Sequence, residues 1–504
     1  MEGMQLIGFG ENNSIRAQKQ RRKGKKNPFN EGPWQLANRI SLDLTYLFDT
    51  PGDAPSITFE DIEDIAPQVI RAHRMLKKDQ GDIYDHGIPM TGWQNLPGEI
   101  TQEHLKEIKS AARGLGSQID AFVSLGIGGS SLGIEATFKA LTHTYFNQLS
   151  RRERGDVPEI YFLGQNMDPD YFRDTLDMLK GKTVGMNVIS KSGTTTETAI
   201  GFRILRNLME KNWGQAAKSL IYVTAGAATG ALQELSKHEG YKIFPIPDNI
   251  AGRYSVLTDA GLVGLAMANI DIEEFAAGFE YMRNVTMSDD LWENPSLVHA
   301  GARYAAWLKG KKIEVVATNS LPLYGIARWM EQLFPESEGH AGHGMWVSPS
   351  LYPEKLHANG QMVQQGERNI LETFLMLREH DNRITIPHDK NNLDGLNFLL
   401  DKGQDMNSIN RTVIEGPAYA HYLADVPNMT IEIPRRNAFC LGEIYYMMEK
   451  SVAISGYLLG HNPFTQPGVE DYKRAMFALL GKPGFEQEGK EIKDKISKMK
   501  RVKI

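Results

Sequence analysis

Val188–Thr198 reads VISKSGTTTET, an apolar run that stops abruptly in hydroxylated residues. Five hydroxyls (Ser190, Ser192, Thr194, Thr195 and Thr196) and one ammonium, Lys191, crowd the start of a helical period, Thr196–Trp213. A helix start needs a single capping hydroxyl. Five, with the backbone N–H groups beside them, suit the oxygens of a phosphate dianion. Strand, loop and helix in that order predict one unit of a parallel sheet, with an anion bound beyond the strand's carboxyl end.

Strand-length apolar runs recur on either side of this stretch, at Ala121–Leu125, Glu159–Leu163, Thr183–Ile189, Leu220–Thr224 and Lys242–Ile246. Helical periods such as Ala231–Lys237 fall between most of them, an alternation that predicts a parallel sheet covered on both faces. A long helical connection follows from Tyr254 to about Lys309. A sparser series then runs through Ile313–Ala317, Asn369–Leu377 and Met429–Ile433, with helices at Tyr324–Leu333 and Ala438–Leu459. Leu36–Phe48 and Thr58–Leu76 read as helical cover. The tail from Val469 reads as a helix, the turn KPGF and a charged terminal helix.

A second loop after a strand, Ser124–Gly133, reads SLGIGGSSLG. Gly126, Gly128 and Gly129 let backbone approach a ligand closely, and Ser130 and Ser131 offer hydroxyls at a helix start. The spacing G-x-G-G departs from the dinucleotide fingerprint, and neither loop ends in the GK[ST] of a nucleotide P-loop. A phosphorylated small molecule fits better than ATP; a plain glycine turn is the alternative for this loop alone.

The 504 residues carry a net charge of −6 and one cysteine, Cys440. One cysteine allows no intramolecular disulfide, and a reducing, cytoplasmic setting is expected. No apolar run reaches the roughly 18 residues of a membrane-spanning helix. The slightly acidic balance gives no reason to expect nucleic acid as a partner. The run Arg16–Lys26, RAQKQRRKGKK, is the exception. It reads either as an anion-binding tail or as a solvated extension.

The pair GIGGS and SKSGTTTET resembles the sugar isomerase (SIS) fold family. With NIAGRYSVLTDAGL at Asn249–Leu262, QLFPESEG at Gln332–Gly339, LHANGQMVQQGERNILET at Leu356–Thr373 and QPGVEDYKRAMFALLGKPGFE at Gln466–Glu486, the chain is similar to the glucose-6-phosphate isomerase family in its bacterial form. The fold class that follows is α/β, two SIS-type three-layer αβα lobes with parallel-rich sheets. The expected organisation is a basic extension at 1–33, helical cover at 34–116, a phosphate-binding lobe at 117–265, a second lobe with the catalytic Glu and His at 266–460, and a C-terminal arm at 461–504.

The resemblance implies reversible interconversion of glucose 6-phosphate and fructose 6-phosphate by ring opening and enediol proton transfer, without metal or cofactor. Such chemistry needs a carboxylate base, a cation for the enediolate and an acid–base pair for the ring. It makes Glu336 the base, with Glu338 two residues on as the obvious competitor. It gives the enediolate to Arg253 and ring opening to His357 and Lys473, with Glu197 orienting the histidine. Gly129, Ser130, Ser190, Lys191, Ser192, Thr195 and Gln466 become substrate and phosphate contacts. It further implies that His357 crosses the interface of a homodimer, so that each active site is shared. Read without the resemblance, Glu336 is a solvated loop carboxylate, Arg253 a surface ion-pair partner and Lys473 an exposed helical lysine. A phosphosugar sensor needs the two loops, yet has no reason to keep Glu336, Arg253, His357 and Lys473 together. His340 stands where the family usually has lysine. With His343 it forms HAGH, for which no nearby third ligand completes a metal site.

Overall fold

A computed structural model of the chain describes residues 39–78, 84–85, 87–193, 195–226 and 230–502. The basic run at Arg16–Lys26 lies outside them. Two five-stranded sheets organise the rest. The edge strand β1 (Ser41–Asp43) comes first in the chain. The first sheet holds β2 (Ala121–Leu125), β3 (Glu159–Leu163), β4 (Val184–Ser190), β5 (Ile221–Gly226) and β6 (Lys242–Ile246), in the order β3-β2-β4-β5-β6 and parallel throughout. Every residue of β2, β4 and β5 is buried, as parallel strands covered on both faces must be. The chain turns one way from β2 to β3 and the other way to β4. The switch point therefore lies between β2 and β4, where the glycine loop and the hydroxyl loop emerge side by side.

The second sheet contains β7 (Ile313–Thr318), β8 (Trp346–Leu351), β9 (Ile370–Glu379) and β10 (Asn428–Arg435), in the order β1-β10-β9-β7-β8. Only β1 is antiparallel. The helix Ala438–Leu458 runs through the middle of the molecule and is buried along nearly its whole length. It packs against Phe59–Lys77, Ile272–Val285, Pro295–Leu308 and Tyr324–Glu338. No helix among the described residues is long and apolar enough to cross a membrane.

Three sequence expectations are corrected. Leu36–Phe48 does not supply helical cover in its described part: Ser41–Asp43 is a strand, and Asp43 then accepts from the N–H and hydroxyl of Thr45, a local turn that competes with helix. The helix at Tyr324 does not stop at Leu333 but continues through Pro335 to Glu338. The strand β8 is absent from the sequence expectation, because Pro349 lies within WVSPSL. It is an edge strand, where a missing N–H costs no ladder bond.

His299, on the helix Pro295–Leu308, is fully buried with Nδ1 2.7 Å from the Ser451 hydroxyl. Burial pushes its pKa down to about 3. The unfolded chain takes up this proton near pH ~6.5 and the native state does not, so the contribution is whole above that pH and is lost as pH falls. Urea titrations between pH 7 and 5 should lose about 1.4 kcal/mol per pH unit from this residue below pH ~6.5. His299→Gln should flatten the profile by about one proton.

Candidate active site

The two loops at the first sheet's switch point are held against a third segment. Gly128 takes a left-handed backbone (φ 57°). Gly129 lies so close to the short helical turn Gly252–Tyr254 that a Cβ there would stand 2.2 Å from the Gly252 carbonyl and 2.6 Å from the Arg253 nitrogen. Thr195 occupies the cap position of the helix Thr196–Trp213, yet its side chain makes no capping bond. Its hydroxyl instead meets that of Ser190 at 3.3 Å. The Lys191 ammonium donates to the carbonyls of Asp248 and Ile250, both at 2.8 Å, and so ties the hydroxyl loop to the segment carrying Arg253. Ser130 is half-buried and Ser192 exposed; Thr194 lies outside the described residues.

Arg253 is buried with its guanidinium fully engaged. Nε donates to the Ser337 hydroxyl at 2.7 Å, and Nη1 to Glu336 Oε1 at 3.2 Å and Gln466 Oε1 at 2.6 Å. Nη2 donates to the carbonyls of Pro463 and Thr465. Glu336 is 22% exposed, and its other oxygen accepts from Gln332 Nε2 at 2.9 Å. Gln332 in turn approaches Gly128 so closely that a Cβ there would meet its Nε2 at 2.9 Å. Carboxylate, guanidinium and glycine loop thus share one crevice, where the carboxyl edge of the first sheet meets the end of the helix Tyr324–Glu338. Glu338 is not in it: its carboxylate is buried and held by both Nη atoms of Arg303. The two glutamates thus face different arginines, Glu336 the Arg253 of the crevice and Glu338 the buried Arg303.

The remaining expected residues are scattered within one chain. Gln466 opens the helix Pro467–Leu479 with its carboxamide on Arg253. Lys473, on the same helix, pairs with Glu470 at 2.9 Å. Glu197 is partly buried in the first turn beyond the hydroxyl loop. His357 is exposed in a short helical turn after β8. The helix Tyr324–Glu338 runs from the carboxyl edge of β7 back toward the edge where β8 begins. Glu336 and His357 therefore belong to opposite edges of the second sheet, on the order of 20 Å apart for strands of this length.

Sequence reasoning missed Gln332, Ser337 and the Arg303–Glu338 pair. The first was legible: Gln332 and Glu336 are spaced i,i+4 and share a helix face. His340 and His343 each stack on His461, with ring centroids 5.1 and 5.4 Å away. Burial holds His340 and His461 below the usual histidine range. Among the described residues no set of three His, Cys, Asp or Glu side chains is placed to hold a metal. The close approach at Gly129 gives a direct expectation. Gly129→Ala should part the glycine loop from Arg253 and lower kcat/KM by about 100-fold or more, with the fold retained by circular dichroism.

Comparison with known proteins places the chain in a family. The family model described as phosphoglucose isomerase matches residues 99–484. A glucose-6-phosphate isomerase of Clostridium novyi (strain NT) is 41% identical over 458 residues, covering 91% of this chain and 99% of that protein. A crystal structure of a hypothetical protein from Thermus thermophilus superposes with a TM-score of 0.76 at 25% identity, covering 88% of this chain and 99% of that one. A glucose-6-phosphate isomerase from Chlamydia trachomatis shares the fold, with a TM-score of 0.68 at 17% identity over 87% of this chain and 90% of its own. On the extent of the family match and the identity carried over nine-tenths of its length, the chain belongs to the phosphoglucose isomerase family.

Proposed function

We propose that the chain interconverts glucose 6-phosphate and fructose 6-phosphate, an aldose–ketose isomerisation of glycolysis and gluconeogenesis in the cytoplasm. Membership of the family supports the reaction. The observation that carries the mechanism is the Glu336–Arg253 pair, 3.2 Å apart beside the glycine and hydroxyl loops. In this reading Gly129, Ser130, Ser190, Ser192 and Thr195 hold the phosphate, and Lys191 braces their loops. The sugar's first two carbons then lie toward Glu336. Its carboxylate takes the proton from the second carbon and returns it to the first, while the developing enediolate charge falls to Arg253. A guanidinium already fixed by Ser337, Gln466 and two carbonyls needs little reorganisation as that charge appears.

Ring opening falls to Lys473 and His357. For Lys473 this means exchanging Glu470 for the sugar's ring oxygen. For His357 the distance across the second sheet means acting in another copy's crevice, beside that copy's Glu197. A homodimer whose two active sites each draw on both chains follows from this reading.

A coupled assay of fructose 6-phosphate conversion tests the base. Glu336→Gln should lower kcat by about 1,000-fold or more while sugar-phosphate binding persists. Turnover left intact would reject the assignment, and binding without turnover in the wild-type protein would make the chain a sensor. Subunit mixing tests the shared site. His357→Ala and Glu336→Gln proteins, each inactive alone, should recover about a quarter of wild-type activity after exchange, because half the dimers are hybrid and each hybrid has one intact site. Verified exchange with no recovery would exclude a shared site.

A further inference from the structure

The three residues after Pro335 are each tied to an arginine. Glu336 and Ser337 are bonded to Arg253, and Glu338 to Arg303. Proline removes one helical N–H donor, so the last turn of Tyr324–Glu338 lacks a bond that ordinary helix would supply. Beside the Gly339 N–H on the Pro335 carbonyl at 2.9 Å, tertiary contacts hold this turn. Arg303 spreads its fork over two carboxylates: both Nη atoms on Glu338, and Nε on Glu314 Oε2 at 2.8 Å. Nη1 also reaches the Ser455 hydroxyl at 3.3 Å, and the guanidinium lies 4.1 Å from the centre of the Phe334 ring. The other Glu314 oxygen accepts from Thr373 on β9 at 2.6 Å. Arg303, Glu314 and Glu338 are all buried.

Stability alone does not call for this arrangement. A buried ionic group can often be replaced by apolar side chains of similar volume with no loss of stability. What the clamp does supply is a fixed path from β9 through β7 and the helix Pro295–Leu308 to the turn beside the crevice. Glu338 is two residues from Glu336, in a turn too short to absorb a displacement of one end without moving the other. A shift of about 1 Å in a reacting group can cost about 100-fold in rate.

We propose that Arg303 is a positioning residue for the isomerisation: by holding Glu338 against Glu314, it sets the place of the turn that presents Glu336 to substrate. Arg303 touches no substrate itself. The proposal rests on the reading of Glu336 as the base. The clamp serves proton transfer and not phosphate capture, because the phosphate loops belong to the other sheet.

Two conservative variants test it. Arg303→Lys keeps the charge but loses the fork, and Glu338→Gln keeps the shape but weakens the pairing. Each should lower kcat about 10- to 100-fold with KM changed by no more than about two-fold. With glucose 6-phosphate deuterated at its second carbon, the isotope effect on kcat should rise, since a displaced base makes proton transfer more fully rate-limiting. The double variant should be no slower than the worse single, because both act on one network. A residue that merely held the fold together would lower the amount of active enzyme and leave the isotope effect where it was; that result overturns the proposal. If either variant fails to fold, Thr373→Val removes only the hydroxyl at the far end of the clamp. It should give a smaller fall in kcat with a raised isotope effect, and wild-type values for both would overturn the proposal equally. Glu336→Gln separates the two readings. If it retains turnover, the base assignment fails whatever the clamp does. If it is dead while the clamp variants match wild type, positioning by Arg303 fails alone.

Discussion

A guanidinium taken out of water loses several kcal/mol of hydration unless its five N–H donors find partners. Arg253 is such a group, and the segments that supply its partners are those that build the crevice. The turn after Pro335 gives Ser337 and Glu336, and the start of the C-terminal arm gives Pro463, Thr465 and Gln466. Its own backbone is pressed against Gly129. Three stretches more than a hundred residues apart in places are thereby drawn to one cation. Removing that cation would leave a half-buried carboxylate, two inward carbonyls and a carboxamide without a common partner, a larger penalty than the loss of any single bond.

The site also explains why a helix-breaking residue stands within a helix. Continued as ordinary α-helix, the end of Tyr324–Glu338 would have its place set by its own backbone. With Pro335 the last turn becomes a short piece whose place is set from both sides, by Arg253 toward the crevice and by Arg303 toward the second sheet. On the proposed reading of Glu336 as base, such a turn serves a carboxylate that must reach two adjacent carbons of a sugar. The cost is a buried cluster of two carboxylates and one guanidinium, stabilised by Thr373 and Ser455.

How much of this was legible in the sequence depended on whether the signal was local. The five strands of the first sheet were readable because each is a short apolar run ended by small or hydroxylated residues, and β2, β3 and β6 fell at their observed limits. The hydroxyl loop was readable because it holds more oxygens than a cap requires. β8 was hidden by Pro349, whose tolerance depends on the strand lying at an edge, a fact of tertiary arrangement. The true end of the helix Tyr324–Glu338 was hidden by Pro335 for a related reason: proline argues for a stop, yet the turn stays helical, closed by the Gly339 N–H on the Pro335 carbonyl and held by distant arginines. The separate fates of Glu336 and Glu338 could not be read at all from PESEG. They depend on Arg253, from the segment after the first sheet, and Arg303, from a helix before the second.

Four parallel strands of each sheet share one order, and the sheets differ in what fills their switch points. In the second sheet that point lies between β7 and β9, and Asn319 follows β7 there as Gly126 follows β2 in the first. Asn319 and Asn410 bond reciprocally to each other's backbone carbonyls at 3.1 and 3.0 Å, and Asn319 also accepts from the Leu377 N–H. Asn410 is 3.0 Å from the His380 ring as well. The carboxamides there are engaged with backbone groups and with a neighbouring ring. In the first sheet, glycines bring backbone close together beside a helix start whose cap residue, Thr195, makes no side-chain capping bond. Strand order therefore offers two such places, and the residue chemistry at them differs. Glu336 lies at the first of them, because the crossover helix of the second sheet ends against the glycine loop of the first.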